Sequence, residues 1–159
     1  MLIDAGRFMR DLDAIVDEAA GRSYTTILLL HASDGSSASG RLLSRRIFST
    51  VPDVYPVGQP KALERSPWLD RLYLRHEPFL ASGAEALARV YPDYETVLRL
   101  DATRLANFPI VGSDSCIGFI NIAQSAEHDA RRMMAIGPKA AMLFGPVAAT
   151  LLDRGWFPD

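Results

Sequence analysis

One cysteine in 159 residues removes much chemistry at once. Cys116 has no partner in the chain, so an internal disulfide and any metal site built on paired cysteines are excluded. Histidine is scarce as well, and no two of His31, His76 and His128 have the spacing of metal ligands on one element. There is no excess of basic charge: the net charge of −2 argues against a nucleic-acid partner, since phosphate binding needs a basic surface. The locally basic stretch GRLLSRRIFS reads as the solvated face of a strand. No unbroken apolar run reaches the ~18 residues that span a bilayer, so no membrane partner is expected. The first residues, MLIDAGRFMRDLDAIVDEAAGR, scatter acids among apolar side chains and do not form a secretory signal; the expected compartment is the cytoplasm. No glycine-rich loop has phosphate-cradling spacing, and the GSS and GSDS stretches read as hairpin turns, not the strand-to-helix elbow of a nucleophilic serine. Nothing points to an enzyme, a metal or a cofactor.

What is present is the profile of one globular domain over residues 1–159, with 48% hydrophobic and 23% charged residues. Residues 2–20 place Leu2, Phe8, Met9, Leu12, Ile15, Val16 and Ala19 at helical spacing against Asp4, Arg7, Asp11 and Glu18, and Gly21 ends the helix. YTTILLLHA (24–32) and RLLSRRIFST (41–50) read as a β-hairpin with a long, mobile tip at 33–40. Residues 51–66 hold Pro52, Pro56, Gly58 and Pro60 and read as an irregular connection. SPWLDRLYLRH opens with a serine cap and a first-turn proline, a short helix. PFLAS (78–82) suits an edge strand, and residues 83–102 are helical with a break at Pro92. Two short strands follow at 105–111 and 117–122. The tail, 126–153, is helical, with interruptions expected at Gly137-Pro138 and Gly145-Pro146. Its apolar side chains include Met133, Met142, Leu143, Phe144 and Leu151. The order is that of an α+β domain around an antiparallel sheet.

The two late strands, in NFPIVGSDSCIGFINIA, carry one asparagine each. Strand side chains alternate faces. The even positions 106, 108, 110, 118, 120 and 122 are all non-polar. The odd positions hold Asn107, Pro109 and Val111, then Ile117, Phe119 and Asn121. An odd-numbered turn, such as Ser113–Ser115, sets 107 opposite 121 on one face. The sheet then has a dry face for the terminal helices and a mixed face beneath the layer 51–102. A buried amide there needs a hydrogen-bond partner. Two readings are open: the amides tie the sheet to its own lid, or they face a ligand.

The run LANFPIVGSDSCIGFINIA resembles the last two strands of a GAF domain, with its proline-bearing P-I-V, polar turn and I-G-x-I-N-I. PFLASGAEALARVYPDYETVLRLDATRLANFPIV is similar to a bacterial group of stand-alone GAF proteins, and the likeness covers about residues 1–153. It implies a GAF-like (profilin-like) fold: a central antiparallel sheet in the order 2-1-5-4-3, terminal helices on one face, and a pocket layer on the other. It also implies a module that binds a small molecule or supports a dimer. The cyclic-nucleotide constellation of that family is missing here. Cys116 is not at the bilin-attachment position, and one cysteine cannot complete the reductase cycle of the methionine sulfoxide reductases of this fold.

Tyr55, Trp68, Tyr94, Asn107 and Asn121 are therefore the candidate ligand-lining residues, within an aromatic set that also holds Tyr73 and Tyr91. Arg71, Arg75 and Arg89 lie near that set in sequence. Of Arg45 and Arg46, only one can face the pocket. His31 either faces the pocket or caps the hairpin, and His128, beside Glu127 and Asp129, reads as a solvated helix start. One expectation is a non-catalytic sensor of a small molecule. The alternative is a dimeric scaffold with a vestigial pocket, its homodimer formed through helices 2–20 and 138–153. A weaker third option makes Cys116 a nucleophile, which requires a nearby cation or helix N-terminus.

Overall fold

A computed structural model describes residues 4–32 and 42–155; the expected hairpin tip at 33–40 lies outside the described residues. Helix α1 (Ala5–Ala20) is capped by the Asp4 carboxylate, which accepts the Arg7 N–H at 2.9 Å. It stops at Gly21, whose φ of 76° is costly for any residue with a Cβ. Strands β1 (Tyr24–Ala32) and β2 (Leu42–Ser49) pair antiparallel. The segment expected to be wholly irregular contains a further strand, β3 (Pro60–Leu63), on the outer edge of β2. Four residues beginning with proline give little strand signal, yet proline is tolerated at the start of an edge strand.

Helix α2 (Pro67–Tyr73) has the Ser66 cap, accepting the Leu69 N–H at 3.1 Å, and proline in its first turn. Strand β4 (Phe79–Ser82), helices α3 (Ala84–Val90) and α4 (Tyr94–Arg99), and the hairpin β5 (Arg104–Val111) and β6 (Cys116–Gln124) follow. The six-stranded sheet has the order β3-β2-β1-β6-β5-β4. Without β3 this is the expected 2-1-5-4-3 arrangement, now with one strand added beside β2.

The last helix, α5 (Ala130–Asp153), is continuous through Pro138 and Pro146, correcting the two expected interruptions. Both prolines are exposed, on the side of the helix away from the sheet, while Gly137 and Gly145 are buried. A Cβ on Gly137 would run into the Phe108 ring, and one on Gly145 would come 3.2 Å from the Val111 carbonyl. The glycines let the helix lie close on the sheet, and that packing outweighs two missing hydrogen bonds. By length and composition alone α5 could cross a membrane; in this fold its Met133, Phe144, Ala148 and Leu151 are core.

The dry face is as expected: Ala106, Phe108, Ile110, Ile120 and Ile122 pack with Met9, Leu12 and Val16 of α1 and with α5. Ile15, Met142 and Leu143, expected among the apolar faces, are instead 52%, 71% and 58% exposed. The β5–β6 loop is also different from the odd turn expected. It has four residues, 112–115, and a bulge follows: Ile110 pairs with Gly118, but Val111 with Cys116. The extra residue offsets the even loop and restores the facing of Asn107 and Asn121. It also turns Ile117 against the helix-side core, while Cys116 joins Phe119 under the opposite layer.

Candidate functional site

Beneath the layer 51–102 the mixed face meets two apolar clusters. One gathers Tyr24, Leu87, Val97, Ala102 and Leu105 under α3 and α4, with Tyr55 and Tyr91 packed on it. The other gathers Leu30, Leu69, Leu72, Cys116 and Phe119 under α2, with Leu28, Leu63 and Trp68 packed on it. Between them lies a cavity of about 230 Å³. Its lining runs across the sheet from Lys61 and Leu63 on β3 to Leu105 and Asn107 on β5. The two clusters share Phe79; across the cavity, polar groups stand between them.

Asn107, 2% exposed, stands directly opposite Asn121. Its Nδ2 donates to Asn121 Oδ1 at 2.7 Å, and Asn121 Nδ2 donates to Thr26 Oγ1 at 3.1 Å. From the roof, Trp68 Nε1 donates to Asn107 Oδ1 at 2.9 Å, and the Tyr91 hydroxyl donates to the same oxygen. Trp68 also meets Tyr91 and Phe119 edge-on, at 6.2 and 5.9 Å between ring centroids. One amide therefore carries the tie between roof and sheet.

At the other end, the Tyr55 hydroxyl donates to Asp93 Oδ2 at 2.5 Å, and its ring lies 5.5 Å from that of Tyr24. The Arg46 guanidinium sits 4.9 Å over the Tyr55 ring and donates through Nη1 to the Pro56 carbonyl at 3.0 Å. Burial first, and then the company of Asp93, keeps these phenols neutral. Tyr24 is pushed up to about 12, burial being the largest cause, and Tyr55 and Tyr91 are also raised. Burial lowers the Arg46 pKa despite Tyr55, Asp93 and Tyr24 nearby.

Of the candidate residues, the cavity brings together Tyr55, Trp68, Asn107 and Asn121. Tyr94 is not in its lining; its hydroxyl donates to Glu95 at 3.3 Å and its ring packs in the α3–α4 cluster. Arg46, not Arg45, is the strand arginine in the lining. Arg71 bonds the Pro78 carbonyl at 2.8 Å and Arg89 pairs with Glu85 at 3.5 Å, both outside the lining. His31 is outside it too, sharing the alternation of Ile27 and Leu29, which face the terminal helices. Tyr24, Thr26, Ser44, Tyr91 and Asp93 also line the cavity. The alternation of Tyr24, Thr26 and Leu28 against Ile27 and Leu29 was the sequence signal for the first two.

His128 is not a simple solvated helix start. Its Nδ1 accepts the Ser125 N–H at 3.1 Å, its ring edge lies where a Cβ on Gly21 would come within 2.6 Å, and its carbonyl accepts Arg104 Nη2 at 2.6 Å. Asp129 caps α5 by accepting the Arg132 N–H at 3.0 Å. Gln124, fully buried, donates to the Gly21 carbonyl at 2.8 Å and accepts Arg104 Nε at 2.9 Å. This knot ties the end of α1 to the start of α5. Cys116 is buried, its Sγ donating to the Gly118 carbonyl at 3.3 Å, and burial pushes its thiol up to about 11. A nucleophilic cysteine requires the opposite shift. Among the described residues no group of three His, Cys, Asp or Glu could hold a metal ion.

No family model matches the chain, and no curated protein matches it. Solved structures do. The GAF domain/HD domain protein from Geobacter sulfurreducens superimposes with a TM-score of 0.70 at 14% identity, over 96% of this chain and 97% of that one. The GAF domain of a two-component sensor histidine kinase from Bacillus halodurans gives 0.66 at 13%, over 94% and 97%. A red/green cyanobacteriochrome in its red light-absorbing state gives 0.60 at 10%, over 93% and 98%. Identities this low speak for architecture alone, and with the sheet order and the two-faced packing above they give the conclusion: the chain has the fold of a GAF domain.

Proposed function

We propose that this chain is a sensor or regulatory module that holds a small organic molecule between the sheet and the layer 51–102. The observation that carries this reading is the cavity of about 230 Å³ left between the two roof clusters. A layer that only sealed the sheet would fill that seam with apolar side chains, because buried amides return little net stability. The similar structures include a sensor histidine kinase domain and a light-absorbing cyanobacteriochrome, which supports a regulatory role. Tyr55, Trp68, Asn107 and Asn121 are the residues assigned to the ligand, and Tyr94 is assigned to the roof.

The test is a thermal-shift screen of small metabolites against the wild type and Leu63→Trp, which adds bulk to the cavity lining from the edge strand. A ligand at 100 times its dissociation constant adds about 2.7 kcal/mol of stability. The reading requires at least one compound that stabilises the wild type and loses its effect in Leu63→Trp. A silent screen, or equal shifts in both proteins, removes it.

One observation favours a second reading, a homodimeric scaffold. Met142 and Leu143 are 71% and 58% exposed on the outer side of α5, and Ile15 is 52% exposed on α1. A stable interface needs about 800 Å² from each partner, and the helices Ala5–Ala20 and 138–153 would supply it. Light scattering then gives a dimer mass that Met142→Glu with Leu143→Glu converts to a monomer; a wild type monomeric at high concentration excludes it.

A further inference from the structure

We propose that the cavity's ligand is a small aromatic monocarboxylate, its ring between Trp68, Phe119 and Leu63 and its carboxylate on Arg46 with Lys61 at the rim. This rests on the small-molecule reading above and adds the chemical class.

Size comes first. About 230 Å³ at ~30 Å³ per water holds roughly eight waters, or a molecule of about ten non-hydrogen atoms. That is the size of one substituted ring.

Charge comes next. The cavity lining holds two cations, Arg46 and Lys61, and one carboxylate, Asp93. Asp93 already accepts the Tyr55 hydroxyl at 2.5 Å. Among the described residues neither Arg46 nor Lys61 has a carboxylate within 4.0 Å. Arg46 lines the cavity, and of its donors Nη1 bonds the Pro56 carbonyl at 3.0 Å. A half-buried guanidinium in the cavity lining, with no described carboxylate within 4.0 Å, has room for one anion as a partner. Its planar fork matches a carboxylate.

The remaining walls settle the rest of the molecule. Phe119, Trp68, Leu28 and Leu63 are apolar or aromatic, and they favour a flat ring. Asn121 donates one amide hydrogen to Thr26 and carries a second that no described residue accepts. That donor suits a hydroxyl or carbonyl substituent on the ring.

The experiment is calorimetric titration of the full chain with benzoate, 4-hydroxybenzoate, the shape-matched neutral benzamide, and inorganic phosphate. The acids are expected to bind about tenfold or more tighter than the amide, the usual reach of a charge-assisted hydrogen bond. Arg46→Gln should remove that preference while leaving benzamide affinity within about threefold; Arg46→Lys should keep part of it. Phosphate should not displace the acids. Equal binding of acid and amide overturns the carboxylate assignment, as does a preference that survives Arg46→Gln. Tight phosphate binding that displaces benzoate overturns the ring. In each case the small-molecule reading still stands. If neither acids nor amide bind, the class is wrong; the metabolite screen with Leu63→Trp then decides separately whether the cavity binds anything.

Discussion

Asn107 is where roof and sheet meet, and its energetics follow from counting partners. Its oxygen accepts from Trp68 and Tyr91 and its nitrogen donates to Asn121. Asn107→Leu strands two buried donors and one acceptor, each worth about 1–3 kcal/mol when left unpaired. Urea unfolding should show a loss of about 2–4 kcal/mol, well above that of Asn121→Leu, which leaves the roof bonds intact. A loss under 1 kcal/mol would mean that the roof does not depend on this amide. Cys116 offers a second residue-scale test. With its thiol raised to about 11 by burial, alkylation at neutral pH should require unfolding and speed up sharply in denaturant; fast labelling of the native chain would contradict the burial described above.

At the scale of elements, α5 shows tertiary packing overriding local signal. Two Gly-Pro pairs inside one helix predict breaks. The helix persists because both glycines face the sheet and both prolines face water. Gly137→Ala should cost about 2–3 kcal/mol in thermal or chemical unfolding, since the new methyl would press into the fully buried Phe108 ring. Pro138→Ala, on the exposed side, should be neutral or stabilising. If Gly137→Ala instead stabilises, as propensity alone would have it, the close packing of α5 on β5 is wrong. The β5–β6 hairpin teaches the complementary lesson. Residue alternation with an odd turn set Asn107 against Asn121; the loop is even, which alone would have parted them, and a compensating bulge restores the pairing. The bulge was invisible because any of several residues between 111 and 117 could have been the extra one.

For the whole molecule, alkaline pH probes the buried phenols and the thiol together. Tyr24 rises from 10.0 to about 12 and Cys116 from 9.0 to about 11, in both cases chiefly by burial. Each is neutral when folded and ionises earlier in the unfolded chain. Their contribution is therefore complete below pH 9 and is lost as the pH climbs through 11 and 12. Each released proton costs about 1.4 kcal/mol per pH unit over that window. The unfolding midpoint should fall between pH 9 and 12, and Tyr24→Phe with Cys116→Ala should flatten the decline. A wild-type midpoint constant to pH 12 would show these groups to be solvated.

The sequence by itself determined the α+β class and the dry face; the sheet order, apart from one edge strand, came with the resemblance to the GAF family, and the shared face of the two asparagines needed an odd turn that the structure replaces by an even loop and a bulge. The class and the dry face follow from periodicity, and periodicity is local: period 2 assigns faces and a glycine or a serine cap ends or begins a helix. Only tertiary structure decided that Trp68 and Tyr91 share one oxygen of Asn107, that Arg46 and not Arg45 lines the cavity, that Tyr94 does not, and that α5 runs unbroken. Each of these depends on groups far apart in the chain arriving within a few ångströms of one another, and no pattern along a single strand or helix encodes that meeting.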